Sequence, residues 1–301
     1  MQLSSEAIDL RPKRLCVFAH YDPHGLVDPH VQFLLAALHA ICDELIFVST
    51  AGATQSYLDS LCLPASKIIT RPNVGLDFYS WKLGLESARP ATFDEIVLCN
   101  DSVYGPLFPL ADVLKEMRHR SCDFWGITDN LQIHYHLQSY FLVFKADVIR
   151  SRAFETFWRT VQPLVNKQEV ISRYEAGLTS WLMKNDFKPA AYFKPKLSDL
   201  LKANTIALKK ARWASMKEAN KVQTFLETYK NCRKSRKLNK THYFWLEMVH
   251  QKAPFLKIEL LKTNPERREI SEVLPEIQNA STYPVTLIRQ HQKRIGGIPY
   301  T

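Results

Sequence analysis

Over the first two thirds of the chain, short apolar runs alternate with stretches in which apolar residues recur every three or four positions. Residues 15–19 and 45–49 are nearly continuous apolar runs, the pattern of strands covered on both faces. Between them Val31, Leu34, Leu35, Leu38 and Cys42 recur at helical spacing behind Asp28-Pro29. That pair suits a helix start, because proline's fixed φ and missing N–H cost nothing in the first turn. The same reading predicts a strand at 67–70, a helix at 77–88, a strand at 95–99 and a helix at 110–119. Apolar segments follow at 124–127 and 140–144, helical stretches at 154–165 and 177–184, and a last candidate strand at 190–193. Strands alternating with helices in this way predict an α/β fold, a mainly parallel sheet joined by right-handed crossovers.

After Pro195 the texture changes. Between positions 205 and 240 lie eleven Lys/Arg against two Glu, a net +9 of the molecule's +10. The remainder is close to neutral, which argues against a nucleic-acid-binding chain. Within the basic stretch Val222, Phe225, Leu226 and Tyr229 form an amphipathic helical stripe. Resting on an anionic membrane at the inner face of the plasma membrane and packing as a solvated helix on the main domain are equally compatible with it. A denser apolar segment, 242–261, follows, and from Thr263 onward prolines at 265, 275, 284 and 298 suggest a loosely attached polar tail. At 301 residues the expected organisation is a large α/β domain over 1–200, a basic and aromatic helical extension over 201–265 and a tail over 266–301. The opening residues show no signal pattern, and no apolar run approaches the ~20 residues that span a bilayer. Six scattered cysteines without a CxxC pair read as buried thiols of a reducing cytoplasm.

In an open parallel sheet, ligands bind beyond the carboxyl ends of the strands. Four predicted strand ends carry polar residues. These are His20-Tyr21-Asp22-Pro23-His24-Gly25, Arg71-Pro72-Asn73-Val74-Gly75-Leu76-Asp77, Asn100-Asp101-Ser102 and Gly126-Ile127-Thr128-Asp129. Asp101, directly after a buried strand, can hold a hard divalent cation that neutralises a diphosphate, or can merely close the turn before Gly105-Pro106. Arg71 and the N–H groups opening the Asp77 helix could face the same diphosphate, or be a surface charge and a helix cap. Glu175 is either a helix-start acid favoured by the dipole or a catalytic carboxylate. His242, before Tyr243-Phe244-Trp245, can cap a helix or reach a ligand.

Several of these stretches together resemble the rhamnan synthesis protein F family of bacterial polysaccharide enzymes. They are Phe18-Ala19-His20-Tyr21-Asp22, Asn73-Val74-Gly75-Leu76-Asp77 with Trp81, and Leu98-Cys99-Asn100-Asp101-Ser102-Val103-Tyr104-Gly105-Pro106-Leu107. Asp123-Phe124-Trp125-Gly126-Ile127-Thr128, Gln138-Ser139-Tyr140-Phe141, Tyr174-Glu175, and Thr241-His242 with Phe255-Leu256-Lys257 complete the set. The resemblance implies a GT-A-like glycosyltransferase fold and inverting transfer of L-rhamnose from dTDP-L-rhamnose to a growing, lipid-linked cell-surface glycan. It implies that His20, Asp22, Arg71, Asn73, Gly75, Asp77, Asn100 and Ser102 hold the nucleotide and diphosphate. Asp101, with His242, would hold Mg²⁺ or Mn²⁺, Glu175 would be the base, and Trp125, Thr128, Gln138 and Tyr140 would be candidates for the acceptor cleft, since aromatic faces and amide groups suit sugar rings. The chain departs from the usual Asp-x-Asp in offering one carboxylate, Asn100-Asp101-Ser102. Other nucleotide-sugar donors and a non-catalytic assembly scaffold are the alternatives.

Overall fold

The computed structural model describes residues 11–201, 205, 222–223 and 238–297. The first half follows the alternation read from the pattern. It runs β1 (Arg14–His20), α1 (Pro29–His39), β2 (Glu44–Ser49), α2 (Gln55–Ser60), β3 (Lys67–Thr70), α3 (Leu76–Glu86) and β4 (Glu95–Asn100). A two-residue strand β5 (Val103–Tyr104), helix α4 (Leu110–Arg118) and strands β6 (Phe124–Gly126), β7 (Asp129–Asn130), β8 (His136–Leu137) and β9 (Phe141–Lys145) come next. Then follow α5 (Ala146–Ile149), α6 (Arg152–Thr160), α7 (Lys167–Val170), a π-turn (Ile171–Glu175), α8 (Ala176–Lys184) and β10 (Pro189–Ala191).

The main sheet has the order β10-β6-β9-β4-β1-β2-β3. All its pairings are parallel except those of β9, which runs against both β4 and β6. This is the α/β, GT-A-like architecture expected: a mainly parallel sheet with helices on both faces. The pleat sends alternate side chains to opposite faces. Thus Cys16 and Phe18 of β1 join the core beneath α1, α2 and α4. Leu15, Val17 and Ala19 join the core beneath α3, α5, α6 and α8. Covering both faces explains why β1 and β4 read as unbroken apolar runs. Cys16, Cys42, Cys99 and Cys122 are buried thiols, whereas Cys62 is exposed.

Beyond the basic stretch, the chain forms α9 (Lys240–Tyr243), α10 (Trp245–His250), β11 (Leu256–Lys257), α11 (Ile258–Lys262), α12 (Val273–Ala280) and α13 (Val285–Ile295). The polar tail expected over 266–301 is therefore corrected: most of it is a folded helical pair. Val285, Ile288, His291 and Gln292 lie on one face of α13 and are buried. Val273, Leu274, Ile277 and Ile288 join Tyr104, Leu107, Trp245 and Leu260 in a third core. Two of these prolines mark helix starts rather than loose chain. Pro284 precedes α13, and Pro275 sits in the first turn of α12, where proline is tolerated. The basic residues from 209 to 237 and the stripe of Phe225, Leu226 and Tyr229 lie outside the described residues. Among the described residues no helix is long and apolar enough to cross a membrane.

Candidate functional site

At the carboxyl end of the sheet, the turn Asn100-Asp101-Ser102 leaves β4 and doubles into β5. Strand β11 pairs antiparallel with β5, Leu256 opposite Tyr104 and Lys257 opposite Val103. A segment more than 150 residues downstream is thereby laid beside the Asp101 turn, and the Lys257 ammonium donates to Ser102 Oγ (2.8 Å). Two cavities meet here. The first, of about 580 Å³, is lined by Tyr21, Asp22, Asp101, Ser102, Lys257 and Arg294, among others. The second, of about 600 Å³, is lined by Asp77, Asn100, Ser102, Gln138, Glu175 and Lys257, among others. Ser102, Lys167, Lys257 and Glu259 line both.

The first cavity is built by the loop after β1 and by α13. Asp22 accepts from the backbone N–H groups of His24 (2.8 Å) and Leu26 (3.1 Å), which folds the loop around its carboxylate. Arg294 then ties Asp22 to Asp28 through one guanidinium. Asp28 is the N-cap residue of α1, but its side chain makes no cap hydrogen bond. It is turned toward Arg294 and, at 3.5 Å, the Nε2 of His291. His291 Nδ1 meets Tyr104 Oη at 2.7 Å, and Gln292 donates to the same hydroxyl at 2.6 Å. Burial drives the pKa of His30 down to about 2 and that of His291 down to about 4, so both rings are neutral here. Asp28, His30 and His291 offer ligand atoms within 4.8 Å of one another. The guanidinium already bonded to Asp28 supplies the positive charge at that point.

The second cavity is lined by Asp77 and Glu175, with Asp101 on the first cavity across the shared turn. Asp77, in the first turn of α3, accepts from Asn100 Nδ2 (2.8 Å), while Asn100 Oδ1 accepts from the Ser102 N–H (3.1 Å). Asp101 accepts the Tyr21 N–H at 2.6 Å through one oxygen. Desolvation, then the neighbouring Asp77 carboxylate, pushes the Asp101 pKa up to about 8. Burial likewise raises Asp77 and lowers the Lys257 ammonium, the latter against the pull of Glu175, Glu259 and Asp77. Glu175 closes the π-turn ahead of α8 and accepts from the Ser139 N–H (2.8 Å). A wide turn of this kind re-aims a side chain without ending the helix.

The structure brings together Asp22, Asp101 and Ser102 on one cavity, and Asp77, Asn100, Ser102, Gln138 and Glu175 on the other. Other expected site residues lie elsewhere. Arg71 donates to Ser80 Oγ and to the carbonyls of Pro72, Val74 and Leu76, so it braces its own loop instead of facing a diphosphate. Gly75 is required by a left-handed φ of +82° and by Pro163, whose Cα would lie 2.6 Å from an added Cβ. Asn73 is exposed on that loop and lines neither cavity. His20 is buried against Phe47, with its Nδ1 3.0 Å from Ser49 Oγ, and lines neither cavity.

Trp125, Thr128 and Tyr140 are buried. Trp125 packs on Phe141, and Thr128 bonds Gln138 and Tyr140 at 2.7 and 2.8 Å. Of the three only Thr128 hydrogen-bonds Gln138, and none of them lines either cavity. His242 is also buried. Its Nε2 stands 3.7 Å from Glu259, burial lowers its pKa, and it lines neither cavity with Asp101. Among the described residues, neither Asp101 nor His242 belongs to a group of three potential ligands close enough to share one ion. Lys257, Glu259, Lys167 and Arg294 were missed as site residues. Only the Phe255-Leu256-Lys257 stretch pointed to any of them, and nothing in its local pattern says that it reaches Ser102.

The chain is 27% identical over 216 residues to virulence protein VirA of Vibrio anguillarum, a match covering 68% of the chain and 65% of VirA's length. It is 26% identical over 197 residues to the uncharacterized protein y4gN of Sinorhizobium fredii, covering 63% of the chain and 50% of that protein. Among solved structures, S. aureus TarS (residues 1–349) is similar at a TM-score of 0.39 and 12% identity, covering 94% of this chain and 92% of that one. Glucosyl-3-phosphoglycerate synthase from Mycobacterium tuberculosis, solved with Mn²⁺, UDP-glucose and phosphoglyceric acid, is similar at a TM-score of 0.35 and 11% identity, covering 65% and 78%. Structural likenesses this low decide nothing about ligands. The family model for rhamnan synthesis protein F, however, matches residues 45–213, more than half the chain and most of the sheet described above. The chain belongs to the rhamnan synthesis protein F family.

Proposed function

We propose that the protein is an inverting glycosyltransferase that moves L-rhamnose from dTDP-L-rhamnose onto a growing, lipid-linked cell-surface polysaccharide. The observation that carries this reading is the meeting of two cavities at Asn100-Asp101-Ser102, with Glu175 on the second. The nucleotide diphosphate occupies the first cavity, against the loop after β1, and the acceptor sugar enters the second beside Gln138. An acceptor hydroxyl oxygen forms the new bond to the anomeric carbon while the carbon–oxygen bond to the diphosphate breaks. The bonding pair leaves with the diphosphate, and the hydroxyl proton passes to Glu175. A base on the face opposite the leaving group gives inversion.

The desolvated carboxylates Asp77 and Asp101 make the junction short of positive charge, which suits a hard cation. Asp101 would hold Mg²⁺ or Mn²⁺ through one carboxylate, with remaining ligands from diphosphate and water, as such ions accept. When bound, the ion neutralises charge on the diphosphate. The basic segment 209–240 suits peripheral contact with the anionic inner face of a membrane, where lipid-linked acceptors are found.

The test is transfer and donor hydrolysis by the purified chain with dTDP-L-rhamnose and a rhamnose-terminated acceptor. Glu175→Gln should keep donor affinity while kcat falls roughly 10²–10⁴-fold, the usual contribution of a general base. Near-parental kcat in that variant removes Glu175 from the role. Neither transfer nor hydrolysis with any nucleotide sugar would favour a non-catalytic scaffold.

A further inference from the structure

We propose that Lys257 is the fixed cation against which the donor's diphosphate leaves. The inference rests on the glycosyltransferase reading above and names a residue that reading does not need. Four observations converge on it. The β5–β11 pairing sets Lys257 opposite Val103, two positions past Asp101. Its ammonium uses one donor on Ser102 Oγ, at 2.8 Å, and an ammonium has three. It lines both cavities, so it stands where a diphosphate in the first and an acceptor in the second come together. Its Nζ lies 4.9 Å from the centre of the Tyr140 ring, whose face attracts a cation and holds the side chain in place.

The neighbouring turn shows why a second cation is needed. Asn100 is engaged by Asp77 and Ser102, which leaves Asp101 as the turn's one charged ligand for an ion. Such an ion would share its charge with Asp101 and with nearby Asp77, so a diphosphate that carries two negative charges in the donor and gains a third as it departs would be only partly neutralised by it. A half-buried ammonium, positioned before the reaction begins, supplies the balance at no cost of reorganisation. Lys167 and Lys262 reach the first cavity too, but both are exposed, where solvent and salt screen them. Tyr140 is on this account a positioning residue that acts through Lys257.

The experiment compares affinities for dTDP and dTMP in the parent, Lys257→Met and Lys257→Arg, by titration calorimetry with and without Mn²⁺. In the Met variant, dTDP binding should weaken roughly ten- to hundredfold, the loss expected for one charge-assisted contact. Binding of dTMP, which lacks the leaving phosphate, should stay within about twofold, and this also reports an intact fold. Lys257→Arg should recover much of the dTDP affinity. An unchanged dTDP-to-dTMP ratio in Lys257→Met overturns the proposal, as does equal loss of both ligands that Lys257→Arg fails to rescue. A parent that binds no nucleoside diphosphate overturns the glycosyltransferase reading itself, and the role of Lys257 with it. A parent that binds dTDP while the Met variant keeps its preference overturns the role of Lys257 alone.

Discussion

Asp101→Asn removes one charge at constant shape, and the site sets opposite expectations for stability and for function. Desolvation and the Asp77 carboxylate raise the Asp101 carboxyl from 3.8 to about 8. Between those values the folded protein keeps a proton that the unfolded chain has released. Stability therefore falls as pH rises from about 4 to about 8, and the full penalty is present only above that range. Each pKa unit is worth about 1.4 kcal/mol, so a shift from 3.8 to about 8 bounds the penalty at about 6 kcal/mol. Asp101 is only partly buried, so an effective dielectric nearer ~20 than ~4 applies, and we expect about a third of that bound, about 2 kcal/mol. At about 2 °C per kcal/mol for a chain of this size, Asp101→Asn should melt about 4 °C above the parent at pH 8. At pH 4 the two should agree within about 1 °C, because the parent carboxyl is then protonated in the fold. Thermal melts across this range, read as the difference between variant and parent, cancel the titrating groups that do not interact with Asp101. The same variant should lose most of the stabilisation that dTDP with Mn²⁺ confers on the parent. A difference that does not grow with pH, or a variant less stable than the parent at pH 8, would refute the account of a strained, cation-seeking carboxylate.

Two other changes test how the site is supported. Arg294→Met leaves Asp22 and Asp28 facing each other in a largely buried setting without their shared guanidinium. It should cost about 3 kcal/mol in urea denaturation and weaken nucleotide binding as the loop after β1 loosens; an unchanged midpoint would mean that α13 does not hold that loop. Gly84→Ala should destabilise by about 1–3 kcal/mol even though alanine is the better helix former, since an added Cβ lies 2.3 Å from Val17 Cγ1. Val17→Ala combined with Gly84→Ala should be closer to the parent than the sum of the two single changes, and simple additivity would contradict a direct clash.

What the sequence determined by itself is the layered sheet. Strands covered on both faces must be apolar at every position, and amphipathic helices must repeat every three to four residues, so β1, β2, β3 and β4 were legible within a residue and α1 and α3 within about three, whereas the short α2 went unread. The Asn100-Asp101-Ser102 turn was also legible, because a carboxylate after a buried strand stands out locally; Glu175, read as a helix-start acid, instead sits inside a helical run over 167–184, where the π-turn aims it. Tertiary structure alone decided which polar residues face the cleft. Arg71 and Trp125 have the chemistry of ligand contacts, yet one is spent on four carbonyl and hydroxyl partners in its own loop and the other fills the core. The prolines and charges after Thr263 read as a loose tail because the face that α13 buries is narrow, and its partners, Tyr104 and the loop after β1, lie far earlier in the chain. Lys257 shows the limit most clearly. Its place beside Ser102 comes from a two-residue strand pairing across about half the chain, and such a short strand leaves no periodic signature. Local patterns report what a segment buries; only the folded chain reports which distant segment it meets.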